Sequence, residues 1–194
     1  ATTYVFGGLM REQVCKFYFT CPLNPHLLVK LFSYTCFKGV IMPEIGEKAP
    51  DFHMPADGGE EVSLAALKGH PFVLYFYPKD DTPGCTKEAI GFSEKIKEFD
   101  KLGVKVIGVS KDTLAKHAKF REKHSLSVVL AADEDGETCE AFGVWVEKNM
   151  YGRKYMGIER ATFLVDGKGV IRNIWRKVKV KGHVEAVLDA AKAL

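Results

Sequence analysis

The chain has 194 residues, 46% hydrophobic and 27% charged, a balance typical of soluble globular proteins that excludes a disordered tail, a collagen-like fibre and a membrane bundle. Lysine and arginine number 28 against 25 acids, and the net charge of +3 is too small to make nucleic acid or an acidic lipid surface the expected partner. Five cysteines, unevenly spaced, are too few for a disulfide scaffold.

Residues 1–41 differ from the rest. They hold Arg11, Lys16, Lys30 and Lys38 against the single acid Glu12, and three of the five cysteines (Cys15, Cys21, Cys36). Residues 42–194 carry 24 bases and 24 acids. The longest stretch free of Asp, Glu, Lys and Arg, residues 17–29, is 13 residues long and broken by Pro22 and Pro25, short of the ~20 that a membrane-spanning helix needs. Arg11 follows the first apolar run and no small-x-small site precedes Met42, unlike a secretory signal. One serine and one arginine do not make a transit peptide, and the cysteines, with only His26 nearby, match no zinc pattern. The segment is expected to be a leader, an artefact or translated upstream sequence, with the working domain at 42–194.

Residues 50–54 and 61–64 read as short extended stretches around the Asp57-Gly58-Gly59 turn. Residues 71–77 (PFVLYFY) form the continuous aromatic and β-branched run of a central strand covered on both faces. After a loop over 78–84, a helix is expected to begin close to Cys85. Its buried face carries Ala89, Phe92, Ile96 and Phe99 at i, i+3, i+7 and i+10, while Lys87, Glu94, Lys95, Lys97 and Glu98 cover the other side. Residues 104–109 (VKVIGV) read as a second buried strand. Asp112 is placed to cap a helix running to about His124. Residues 128–131 make a third strand, and 135–142 a short helix. Residues 161–166 and 170–175 make a hairpin across Gly167-Lys168-Gly169, and 181–194 a closing amphipathic helix. Alternating strands and helices ending in a hairpin imply an α/β fold with a mixed sheet.

The chemistry concentrates in residues 77–88, YPKDDTPGCTKE. A cysteine in the first turn of a helix lies among unpaired backbone N–H groups at the positive end of the helix dipole, which favours the thiolate, the reactive form of cysteine. Thr82, three residues earlier, offers a hydroxyl that can donate and accept. Pro78 has no N–H and can shield one side of a thiolate from water. Pro83 and Gly84 allow a tight turn over the sulfur. A free cysteine is most often a small packing residue, but a packing cysteine would have apolar neighbours, and these are polar. Asp80 and Asp81 oppose a thiolate, so a positive charge must offset them.

The pattern Pro78-x-x-x-Thr82-x-x-Cys85 resembles the active site of the peroxiredoxins, and YPKDDTPGCTKEA is similar to the bacterioferritin comigratory protein, or peroxiredoxin Q, subfamily. The likeness extends over nearly all of residues 44–194, through GEKAPDF (46–52), VIGVS (106–110), AFGVW (141–145) and RATFLVD (160–166). It implies a thioredoxin-like fold, a central mixed sheet flanked by helices. It also implies thiol-dependent reduction of hydrogen peroxide and organic hydroperoxides through a cysteine sulfenic acid, with no metal, haem or flavin. Arg160 matches the family's active-site arginine and supplies the missing charge. The catalytic set so implied is Cys85, Thr82, Pro78 and Arg160. The expected partners are a peroxide and a thiol reductant (thioredoxin, glutaredoxin or a small thiol), in a cytoplasmic monomer that engages neither membrane nor nucleic acid.

The chain departs from the family in its second cysteine. The resolving cysteine often found five residues after the first is Ile90 here, and the alternative position on the next helix falls near Arg121, also without cysteine. Cys139, 54 residues after Cys85, is read as a small residue on the inner face of a short helix and is the remaining candidate resolver. His117 and His124 are read as a solvated helix face, Asp133-Glu134-Asp135 as an acidic loop and helix cap, and Trp145 and Trp175 as packing. A thiol–disulfide oxidoreductase usually needs C-x-x-C, whereas Cys85 is followed by Thr86, Lys87 and Glu88. A peroxide sensor or redox relay using the same thiol is the alternative. A chain shortened to begin at Met42 is expected to fold and keep full activity; a loss measured in a peroxide-consumption assay would make residues 1–41 a working extension.

Overall fold

The computed structural model describes residues 42–150 and 152–194, and the segment expected to be a leader lies outside them. Strands β1 (His53–Pro55) and β2 (Glu61–Ser63) form an antiparallel hairpin. They precede β3 (Phe72–Phe76), α1 (Pro83–Lys101), β4 (Lys105–Ser110), α2 (Leu114–His124), β5 (Val129–Ala132) and α3 (Glu137–Ala141). A second hairpin, β6 (Trp145–Met150) with β7 (Arg153–Ile158), leads into β8 (Ala161–Val165), β9 (Ile171–Arg176) and α4 (His183–Lys192). The central sheet has five strands in the order β5-β4-β3-β8-β9. β3, β4 and β5 run parallel, and β8 pairs antiparallel with both β3 and β9. This is the mixed sheet that the alternation of elements predicts.

The period of two along β3 divides the core. Phe72, Leu74 and Phe76 point to one side, where they meet Phe52, Met54, Phe142, Phe163 and Cys139. Val73, Tyr75 and Tyr77 point to the other and meet Phe92 and Phe99 of α1, Phe120 of α2, and Val187 and Leu188 of α4. Both β3-α1-β4 and β4-α2-β5 cross on the same side of the sheet, as the common handedness of such connections requires. Gly108 in β4 has a packing reason: a Cβ there would stand 2.5 Å from Cζ of Tyr75. The flat stack of Tyr75 on Phe92, with centroids 4.7 Å apart, seats α1 on the sheet.

Two expectations are corrected. Thr113, not Asp112, occupies the N-cap of α2; the Asp112 carboxylate instead accepts the Asp80 N–H at 2.8 Å, a longer-range bond that a local capping rule does not foresee. The β6–β7 hairpin was not anticipated. Ile158 is buried and Trp145 packs against the same core, but residues 152–156 are exposed, so the stretch shows no sustained alternation. Its signal is the Asn149-to-Gly152 turn, in which Asn149 Oδ1 accepts the Gly152 N–H at 3.1 Å. The acidic loop does act as a cap: Asp133 accepts the amides of Thr138 and Cys139 at 3.1 and 2.7 Å.

Because Phe92 is fully buried between Tyr75 and Phe99, Phe92→Ala should cost ~3–5 kcal/mol. Chemical denaturation should show a lowered midpoint with an unchanged slope.

Candidate active site

The helix that carries Cys85 starts abruptly. Thr82 is its N-cap, with extended backbone, and Pro83 takes the first helical position, where a missing N–H costs nothing. The first intrahelical bond runs from the Thr86 N–H to the Thr82 carbonyl at 2.9 Å, which leaves the Gly84 and Cys85 amides without helical acceptors. Cys85 is 2% exposed and faces the Tyr75–Phe92 side of the sheet.

Arg160, directly before β8, reaches this helix start from the neighbouring strand. Its Nη2 lies 3.2 Å from Cys85 Sγ, and its Nη1 forms an ion pair with Glu88 Oε2. Gly84 makes room for it, since a Cβ there would stand 3.2 Å from Nη2. Burial pulls Arg160 toward deprotonation, but Glu88 and Cys85 outweigh this and raise its pKa above the ordinary value. Glu88 is fully buried. Burial drives its pKa up to about 7, against the opposing pull of Arg160. Sequence reasoning missed Glu88. The signal was available: it lies three residues after Cys85 and next to Ala89, on the apolar face of the helix, where an acid needs a buried partner.

Thr82 Oγ1 donates to the Lys79 carbonyl at 3.1 Å. Pro78 is exposed at the start of the loop. The two aspartates expected to oppose the thiolate have partners of their own. Asp80 is buried and receives Tyr77 and His117. Asp81, at φ 58°, pairs with Lys123 and His124, whose hydrogen bonds hold its carboxyl below the usual range, His124 first. The reading of His117 and His124 as a solvated face is therefore corrected. His117 is completely buried, and both rings turn toward the active-site loop because its acids need donors.

Two further groups surround the arginine. His183 Nε2 lies 2.8 Å from Thr162 Oγ1; burial, then Arg160, brings its pKa down to about 4. Lys148 of β6 donates to the Ile158 carbonyl. Its pKa is lowered by burial, with Glu159 opposing and Arg160 adding to the shift. The candidate resolver lies elsewhere. Cys139 is fully buried in the core on the opposite face of the sheet from Cys85, and burial followed by Asp133 pushes its thiol far above the ordinary range. Near the alternative resolver position, Arg121 donates to Asp57 Oδ1 at 2.9 Å and to the Val128 carbonyl at 2.6 Å. Both described cysteines are free.

Residues 45–174 match the model of the AhpC/TSA family. The chain is 54% identical over 145 residues to a putative peroxiredoxin bcp of Coxiella burnetii, covering 75% of this chain and 96% of that one. It is 51% identical over 149 residues to peroxiredoxin Bcp of Bacillus subtilis, covering 77% and 95%. Among solved structures it resembles the bacterioferritin comigratory protein of Xanthomonas campestris, studied for alkyl peroxide reduction, with a TM-score of 0.70, 47% identity and coverage of 73% and 90%. A PrxQ variant of Xylella fastidiosa gives a TM-score of 0.73 at 37% identity, with coverage of 77% and 96%.

Glu88 and His183 should leave opposite marks on stability. A carboxyl whose pKa rises on folding from 4.5 to about 7 contributes stability that is complete below 4.5 and lost as the pH climbs to 7. A histidine whose pKa falls from 6.5 to about 4 costs stability below 4, a cost that vanishes as the pH climbs to 6.5. Glu88→Gln should therefore make unfolding free energy rise more steeply between pH 4.5 and 6.5, and His183→Gln should flatten it. Denaturant titrations across that range check both signs.

Proposed function

The chain belongs to the AhpC/TSA family as a peroxiredoxin of the Bcp type and is a thiol-dependent peroxidase, and we propose that Cys85 is its nucleophile, with Thr82, Arg160 and Pro78 completing the site. The observation that carries this is the 3.2 Å approach of the Arg160 guanidinium to a cysteine sulfur at a helix N-terminus. A guanidinium remains charged at any relevant pH and has donors to share, so one face can stabilise the thiolate while Glu88 holds another. The thiolate attacks one oxygen of the hydroperoxide; an S–O bond forms as the O–O bond breaks. The leaving oxygen departs as alkoxide or hydroxide and takes up a proton to give alcohol or water. Cys85 is left as a sulfenic acid. Arg160 and the Cys85 N–H are suited to hold the charge developing on the oxygens. With its proton on the Lys79 carbonyl, the Thr82 hydroxyl turns lone pairs outward to accept the peroxide O–H. Pro78 adds a wall without a competing donor.

Recycling is proposed to use an external thiol: thioredoxin, glutaredoxin or a small thiol. Ile90 packs against the core, Arg121 is held by Asp57, and Cys139 lies behind the sheet. A Cys85–Cys139 disulfide would need Cα atoms ~4.4–6.8 Å apart, and so would require one of them to leave its core. A monomer is the proposed oligomeric state. The cytoplasm is the proposed setting. Among the described residues no helix is long and apolar enough to cross a membrane.

Cys85→Ser should abolish peroxide consumption with a thiol reductant, and Thr82→Val should slow Cys85 oxidation by ~100-fold, the scale of losing the group that orients the reacting oxygen. Unchanged stopped-flow oxidation in both Thr82→Val and Arg160→Met would remove them from the site. Oxidised with one equivalent of peroxide, the protein should add a dimedone-type probe at Cys85. An intact mass lower by two hydrogens, restored by Cys139→Ser, would make Cys139 the resolver.

A further inference from the structure

Beneath the loop that delivers Thr82 and Cys85 lies a polar network that the chemistry above does not use. The Tyr77 hydroxyl donates to Asp80 Oδ1 at 2.7 Å. His117 Nδ1, on α2, lies 2.8 Å from the other oxygen, Oδ2. The Asp80 N–H donates to Asp112 Oδ2 at 2.8 Å. Asp112 is itself held, since its amide donates to Ser110 Oγ at 3.1 Å and Lys116 Nζ lies 3.0 Å from its Oδ1. Asp80 is thus tied by both carboxylate oxygens and by its amide, to the end of β3, to α2 and to the β4–α2 connection.

The amide of Asp80 shares a rigid peptide plane with the carbonyl of Lys79. In a trans peptide the N–H and C=O point in opposite directions. Asp112 grips the N–H side, and the Thr82 hydroxyl donates to the C=O side at 3.1 Å. One planar unit therefore connects the buried network to the hydroxyl at the site. If the plane turns, the Lys79 carbonyl swings away and Thr82 loses the acceptor that fixes its proton.

We propose that Asp80 is a positioning residue, held by Tyr77, His117 and Asp112, which sets the Lys79–Asp80 peptide plane so that the Thr82 hydroxyl presents its lone pairs to the substrate. This rests on the peroxidase reading, in which Thr82 accepts the peroxide O–H. The network acts on alignment and leaves the thiolate to Arg160 and the helix start. Peroxide attack needs both; alkylation needs only the thiolate.

The full chain with Asp112→Ala should show Cys85 oxidation by hydrogen peroxide slowed ~10- to 100-fold, the scale of a misplaced reacting group, with alkylation by iodoacetamide unchanged. Asp112→Asn, which can still accept the Asp80 N–H, should restore most of the rate. Tyr77→Phe keeps the ring and its packing, and should give a smaller loss in the same peroxide-selective sense if Asp112→Ala folds poorly. On a Thr82→Val background these substitutions should add nothing further, because the hydroxyl they act through is gone. Equal slowing of oxidation and alkylation, or full additivity with Thr82→Val, overturns the positioning role and leaves the peroxidase reading intact. A wild-type Cys85 that is alkylated normally but not oxidised by hydrogen peroxide overturns both.

Discussion

The guanidinium of Arg160 lies between a sulfur and a buried carboxylate, and the rest of the site is arranged around that contact. Cys85 and Glu88 are three residues apart on α1, on one face of the helix, and Arg160 spans them from the adjoining strand. A carboxylate buried as completely as Glu88 would be costly alone, and Arg160 offsets part of that cost. The pair ties α1 to β8 and so sets where the helix begins relative to the sheet. Gly84 gives the close approach its space. His183, kept neutral by burial and by Arg160, fills the neighbourhood without a second positive charge.

The sheet separates two cysteines with opposite environments. On the α1 side, Cys85 has a cation, unpaired amides and a polar loop. On the other side, Cys139 has aromatic walls and the Asp133 carboxylate that receives its amide. A reactive thiol needs stabilised negative charge; burial beside an acid works against it. At the two positions where the family resemblance points to a second cysteine, Ile90 packs against the core and Arg121 forms a salt bridge to Asp57. These contacts help hold α1 and α2 in their folded positions.

The loop over residues 78–84 is acidic just before Cys85, and the structure gives each of its two acids partners of its own. Asp81 turns out toward Lys123 and His124, at the end of α2. Asp80 turns inward to Tyr77 and His117. The same pairing anchors the loop, so two charges that would oppose a thiolate serve as its attachments to α2.

Much of this was legible in the sequence. The run at 71–77 has the unbroken apolar character of a strand covered twice, and the 3.6-residue period of Ala89, Phe92, Ile96 and Phe99 marks the face on which α1 lies. The local spacing of Pro78, Thr82 and Cys85 was enough to place the cysteine at the start of a helix, where α1 begins. Those features depend on neighbours along the chain. The β6–β7 hairpin escaped notice because residues 152–156 are exposed on both faces and carry no period. Asp112 was misplaced as a cap, and His117 as a solvated residue, because their partners at Asp80 lie 32 and 37 residues away. The likeness to a known family pointed to Arg160, but only the packing of β8 against β3 brought it to the sulfur. Glu88 became a partner of that arginine for the same reason: a charge on a buried face gains its meaning from whatever the tertiary fold sets opposite, and no spacing within one helix can supply that.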